Sequence, residues 1–105
     1  MSHDILVETA LKRQEAFNNL PKHLQTIKKT VRKLDSQAEI YLFGSTADNE
    51  HNYSSDIDIL IITNLQPATI HVELWKAGIK EPFEIHVHSQ EEAEFFKCRA
   101  KLTKI

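Results

Sequence analysis

The sequence predicts an α/β domain of the α+β type, with helices packed on a small sheet. Three observations carry this. Before Gln37 the chain is rich in Lys, Glu, Gln, Leu and Ala, contains no glycine, and spaces its apolar residues at helical intervals. After Gln37 the apolar residues alternate with polar ones or run together, as they do in strands. Near the end, Ser89 and Glu92 form the Ser-x-x-Glu pattern of a helix start, a capping box.

The elements follow in order. Ile5, Leu6, Thr9, Ala10, Arg13 and Phe17 keep a spacing near 3.6 and predict an amphipathic helix. The run Asn18-Asn19-Leu20-Pro21 interrupts it. Asn19 can cap a second helix, with Pro21 in the first turn, where a missing N–H costs little. Leu24, Ile27, Val31 and Leu34 form the apolar stripe of that helix. Lys22, Lys28, Lys29, Arg32 and Lys33 lie largely off the stripe and read as a solvated face, since no aromatics are interleaved with them. Residues 38–43 read as a first strand ending at Gly44, residues 45–55 as a polar loop, and residues 56–63 as a second strand. Ile70, Val72 and Leu74 alternate, but Pro67 can open a helix and Gly78 can close one, so helix is favoured for residues 69–76. Residues 82–88 form a third strand, and Ser89 starts a last helix whose apolar side includes Phe95, Phe96 and Leu102. Trp75 and Phe96 are expected in the core.

Composition narrows the function classes. A chain of 105 residues suits one domain, with helices in residues 1–36 and the sheet and last helix in residues 37–105. Thirteen basic and 15 acidic residues give a formal net charge of -2, which disfavours general coating of nucleic acid. The one cysteine, Cys98, rules out an intramolecular disulfide and fits a reducing, cytoplasmic setting with a packing role for the thiol. No signal-like apolar stretch opens the chain, and no run approaches the roughly 20 residues of a membrane span.

The chemistry is concentrated in the middle of the chain. Asp56 and Asp58 stand two apart in a strand and share a face, while Ile57, Ile59 and Ile61 take the other. Two such carboxylates repel each other, and a divalent cation between them removes the penalty. Hard oxygen donors suit Mg²⁺, which usually completes its shell with water and substrate phosphates. The pair therefore predicts a nucleotide or phosphate ligand. Gly44 directly after a strand lets backbone N–H groups approach an anion, and Ser45 adds a hydroxyl donor. No Walker A run is present. Glu84 shares a strand face with His86 and His88, and supplies a third carboxylate for a metal or for an acceptor's proton. His86 and His88 have no Cys or further His at zinc-like spacing and are read as strand residues, not ligands. His51 and Tyr53 could touch a base or simply be solvated loop residues.

The run from Gly44 to Asp58 resembles the signature of the nucleotidyltransferase superfamily related to DNA polymerase β: a Gly-Ser pair, a loop, then Asp-x-Asp between apolar residues. The chain is most similar to its minimal nucleotidyltransferases, over roughly residues 38–97. That resemblance implies a nucleotidyltransferase fold, with a small mixed β-sheet packed with helices. It implies two Mg²⁺ ions held by Asp56, Asp58 and Glu84, and ATP as substrate, its triphosphate bound by Gly44 and Ser45 with Ser55 beside the acidic pair. It further implies transfer of a nucleoside monophosphate, AMP above all, to an acceptor hydroxyl. Minimal members are often antitoxins paired with an all-helical HEPN ribonuclease whose tyrosine is adenylylated, so a HEPN-type partner is expected. Whether the chain also forms oligomers is left open. Thr46 and Asp48 stand where arginines are often found, and Asn49 where glycine is common. This points to a partner-dependent enzyme, with two alternatives: a binding module that neutralises its partner by occlusion, or a transferase for an aminoglycoside-like small molecule.

Overall fold

A computed structural model describes residues 11, 14–43, 57–80, 82–99 and 102–105. Residues 14–18 are helical and are followed by α1, Leu20–Leu34. Strands β1 (Glu39–Phe43) and β2 (Ile57–Ile62) come next, then α2 (Pro67–Lys76), β3 (Phe83–His88), α3 (Gln90–Arg99) and β4 (Leu102–Lys104). The sheet order is β3-β2-β1-β4. Strand β1 is antiparallel to both neighbours, whereas β2 and β3 run parallel, so the sheet is mixed. A parallel pair requires a crossover, and α2 provides it.

The sheet divides the apolar residues into two groups. Ile57, Ile59 and Ile61 face a core built with Ile27 and Val31 of α1 and Ile70 and Leu74 of α2. Leu60 and Ile62 face the other way, onto Ala93 of α3, with Tyr41, Phe43 and Leu102 around them. Alternation along β2, matched on β1 by Ile40 and Leu42 against Tyr41 and Phe43, separates the two layers. The described helices offer none long and apolar enough to cross a membrane.

Local signals set the element ends. Asp35 stops α1 and ties it to the sheet: its Oδ1 accepts from the Gln37 N–H at 3.0 Å and its Oδ2 from the Thr63 hydroxyl at 2.6 Å. At the end of α2, Gly78 takes φ +91°, the Gly78 N–H donates to the Trp75 carbonyl (3.0 Å), and the Ile79 N–H to the Leu74 carbonyl (2.9 Å). This is the Schellman arrangement, completed by apolar contact between Leu74 and Ile79 in the core. A Cβ on Gly78 would meet nothing within 4 Å, so only backbone conformation opposes one. Gly78→Ala is expected to cost about 1 kcal/mol in chemical denaturation. An unchanged midpoint would show that the turn relaxes.

The capping box forms as expected. The Ser89 N–H donates to Glu92 Oε1 at 2.9 Å, and the Glu92 N–H to Ser89 Oγ at 3.4 Å. The bond from the Ser89 backbone, with smaller help from its hydroxyl and from His88, lowers the Glu92 pKa. A carboxylate held below its unfolded value stabilises the fold above that value and loses this as pH falls through the folded one. Glu92→Gln should therefore destabilise the protein more at neutral pH than at acid pH, measured by parallel urea titrations.

Several expectations are corrected. Asn19 stands at the N-cap position of α1 but makes no capping bond with its side chain. Its amide donates instead to the Glu15 carbonyl and carboxylate, each at 3.2 Å, because its φ of −112° and ψ of 26° are not the extended backbone of a cap. Trp75 is 61% exposed and lies under the Lys80 ammonium rather than in the core. Leu34, at the end of its stripe, is also exposed. The last helix ends at Arg99, and Leu102 begins β4, paired with Phe43 of β1. Phe95 is 62% exposed. The stripe positions Ile5, Leu6, Thr9, Ala10 and Arg13, the loop 45–55, and the side chains of Phe96 and Cys98 lie outside the described residues.

Candidate active site

The candidate site begins with register. In the parallel pair, Asp58 stands opposite Glu84, and Leu60 opposite His86. Facing residues point to the same side of a sheet, so Asp58, Glu84 and His86 share the face that carries Leu60. The apolar residues that alternate with them on β3, Phe83 and Ile85, turn to the core with Ile57 and Ile59. One carboxylate is therefore contributed by each of two neighbouring strands, at the end of the sheet where β2 and β3 begin.

His86 joins them. Its Nε2 lies 3.4 Å from Asp58 Oδ1 and 3.7 Å from Glu84 Oε1. The three donor atoms all lie within 4.8 Å of one another. Asp58 and His86 are 27% and 30% exposed, and Glu84 is 54% exposed, so the group is sheltered on one side and open on the other. Phe43, opposite Asp58 on β1, meets the His86 ring edge to face at 5.1 Å between centroids.

Two carboxylates at this separation repel by roughly 1–3 kcal/mol, between the dielectric of water and that near a protein surface. Nothing in the apolar packing requires them there. The donor set fits a divalent cation: oxygen donors about 2.1 Å from a central ion lie roughly 3–4 Å apart, so small side-chain rotations suffice. Tyr41 occupies the same face but is committed elsewhere. Its hydroxyl donates to Glu39 Oε1 at 2.6 Å. That bond, and then burial, push its pKa up to about 12. It therefore stays protonated at neutral pH and is no proton acceptor.

Of the residues singled out from sequence, the structure brings together Asp58 and Glu84. Gly44, Ser45, Ser55 and Asp56 lie outside the described residues, as do Thr46, Asp48, Asn49, His51 and Tyr53. Phe43 and Ile57, which adjoin Gly44 and Asp56 in the chain, both stand at the Asp58 end of the sheet. The sequence offers no Cys or further His at zinc-like spacing to make His86 a ligand, but its position two residues after Glu84 puts it on the acidic face.

The model of the nucleotidyltransferase domain family matches residues 24–103. Among solved structures, the chain is similar to a candidate nucleotidyltransferase at 28% identity and a TM-score of 0.61, covering 79% of this chain and 97% of that one. A second, from Sulfolobus solfataricus, shares the fold at 23% identity and a TM-score of 0.50, covering 90% and 85%. No curated protein matches.

Proposed function

Because the chain belongs to the nucleotidyltransferase domain family, we propose that it transfers a nucleoside monophosphate, AMP from ATP, to an acceptor hydroxyl with Mg²⁺ as cofactor. The observation that carries this reading is the pairing of Asp58 with Glu84 across β2 and β3. Asp56 is the third carboxylate of the proposed set, one residue before β2.

In this reading Asp56, Asp58 and Glu84 hold two Mg²⁺ ions, which when bound offset the charge of the triphosphate and of the leaving pyrophosphate. Gly44 and Ser45 bind the triphosphate, and Ser55 assists beside the acidic pair. The acceptor oxygen attacks the α-phosphorus in line, and the bond from that phosphorus to the bridging oxygen breaks as pyrophosphate leaves. Glu84, the most exposed of the described group, orients the acceptor hydroxyl or takes its proton.

The acceptor in this proposal is a side-chain hydroxyl on an all-helical HEPN-type protein, with the chain acting as the antitoxin of a two-protein module. Thr46 and Asp48, where basic residues would neutralise phosphate charge, support a partner that completes the site. They also support a second reading, neutralisation by occlusion.

The test uses the full chain, Mg²⁺, α-labelled ATP and a HEPN-type helical protein as acceptor. Label on the partner with release of pyrophosphate is the expected result. No label with any of the common nucleoside triphosphates would sink transfer. If the Asp56→Asn, Asp58→Asn double variant still protects cells from the partner, occlusion replaces catalysis.

A further inference from the structure

We propose that His86 is itself a ligand of the metal, through Nε2, and that its nitrogen shifts the site's preference from Mg²⁺ toward first-row transition ions such as Mn²⁺. This rests on the reading of Asp58 and Glu84 as metal-holding carboxylates.

Geometry singles out this atom. Nε2 makes both approaches, 3.4 Å to Asp58 Oδ1 and 3.7 Å to Glu84 Oε1. These are longer than the roughly 2.7–2.9 Å of a tight charge-assisted hydrogen bond. The bond to Asp58 is a long one, and the three donors are gathered around a shared space, all within 4.8 Å of one another. A neutral ring protonated on Nδ1 carries its lone pair on Nε2, which is the form that ligates a metal. The ring is also oriented in advance. It stands opposite Leu60 on the neighbouring strand, and Phe43 meets it at an interplanar angle of 69°. With 30% of the side chain exposed, the imidazole is held at the edge of the acidic group.

The consequence is chemical. Mg²⁺ prefers water and oxygen donors and keeps near-ideal octahedral geometry. Imidazole nitrogen suits first-row transition ions, whose affinity for a mixed nitrogen and oxygen site rises along the series from Mn²⁺. A site built only of carboxylates would lack this bias. His88 provides an internal comparison: it lies on the same strand face, opposite Ile62, and its Nδ1 is 3.7 Å from Glu92 of α3.

The test is pulsed electron paramagnetic resonance on the full chain loaded with Mn²⁺ and a non-hydrolysable ATP analogue. The expected result is hyperfine coupling to a histidine nitrogen, assigned with isotope-labelled histidine. It should vanish in His86→Gln and His86→Asn and persist in His88→Gln. Circular dichroism shows which variants are folded, and either folded His86 variant suffices. Titration should show the Mn²⁺-over-Mg²⁺ affinity ratio falling by about tenfold or more in the folded His86 variants. If Mn²⁺ binds the wild type without nitrogen coupling, or coupling survives loss of His86, the inference fails while the carboxylate reading stands. If no Mn²⁺ binds at all, both readings fall together.

Discussion

Asp58→Asn is expected to lower nucleotide transfer by about 100- to 1000-fold, the loss typical of removing one preorganised group that stabilises charge in a transition state. In free energy this is about 3–4 kcal/mol of barrier. The substitution keeps shape and one oxygen, so the ladder of β2 with β1 and β3 is undisturbed. What disappears is the charge. Asp58 faces Glu84 across the parallel pair, with the His86 nitrogen 3.4 Å away. Removing one of two neighbouring carboxylates also removes their repulsion. The variant should therefore melt at the same temperature as the wild type or slightly above it, while divalent metal binds more weakly. Steady-state transfer, thermal melting and metal titration test these together. A variant that transfers at the wild-type rate would remove Asp58 from the proposed machinery. Lost activity with a lowered melting temperature would instead indicate a structural role.

Ile59→Ala is expected to have the largest effect on stability, about 2–5 kcal/mol. Ile59 is 0% exposed. It sits in an inner strand, opposite Leu42 on β1 and Ile85 on β3. It belongs to the core that α1 and α2 cover with Ile27, Val31, Ile70 and Leu74. Truncation leaves a cavity that three strands and two helices would all have to move to fill. Domains of this size have roughly 5–15 kcal/mol in total, so the loss is a large part of it. At about 4–8 °C per kcal/mol, the midpoint should fall by on the order of 10–40 °C. Trp75→Ala is the contrasting case. Trp75 is larger, but it is 61% exposed, and its described partner is the Lys80 ammonium 4.5 Å from the ring centroid. Its removal should cost less than about 1 kcal/mol. If Trp75→Ala proved the more damaging in urea titrations, Trp75 and not Ile59 would belong to the core.

These two predictions rest on features of different legibility. The alternation of Ile57, Ile59 and Ile61 against Asp58, Leu60 and Ile62 is a local pattern, and the observed layers follow it. The capping box at Ser89 and the turn at Gly78 are likewise local, because each is closed by bonds within a few residues. The Asn19 cap failed for a local reason of a subtler kind: backbone angles, not residue type, decide whether an amide can reach the first turn. Trp75 is exposed although it is large and aromatic, because size says nothing about direction. Ile70 and Leu74, four residues apart, take the buried face of α2, and Trp75 follows about 100° further round.

From the sequence alone came the α+β class, three of the four described strands, the crossover helix, and the two carboxylates Asp58 and Glu84 as site candidates. All of these depend on periodicity or on residue type within a short window. Tertiary structure decided strand order, the place of β4 and the membership of the site. Strand β4 is only Leu102–Lys104, too short to show a period, and is defined by its antiparallel pairing with Tyr41, Leu42 and Phe43 of β1. His86 lies 28 residues from Asp58 in the chain. Only the parallel register of β2 with β3 sets its ring beside that carboxylate, and register is chosen by how whole faces bury together, which no short window of sequence contains.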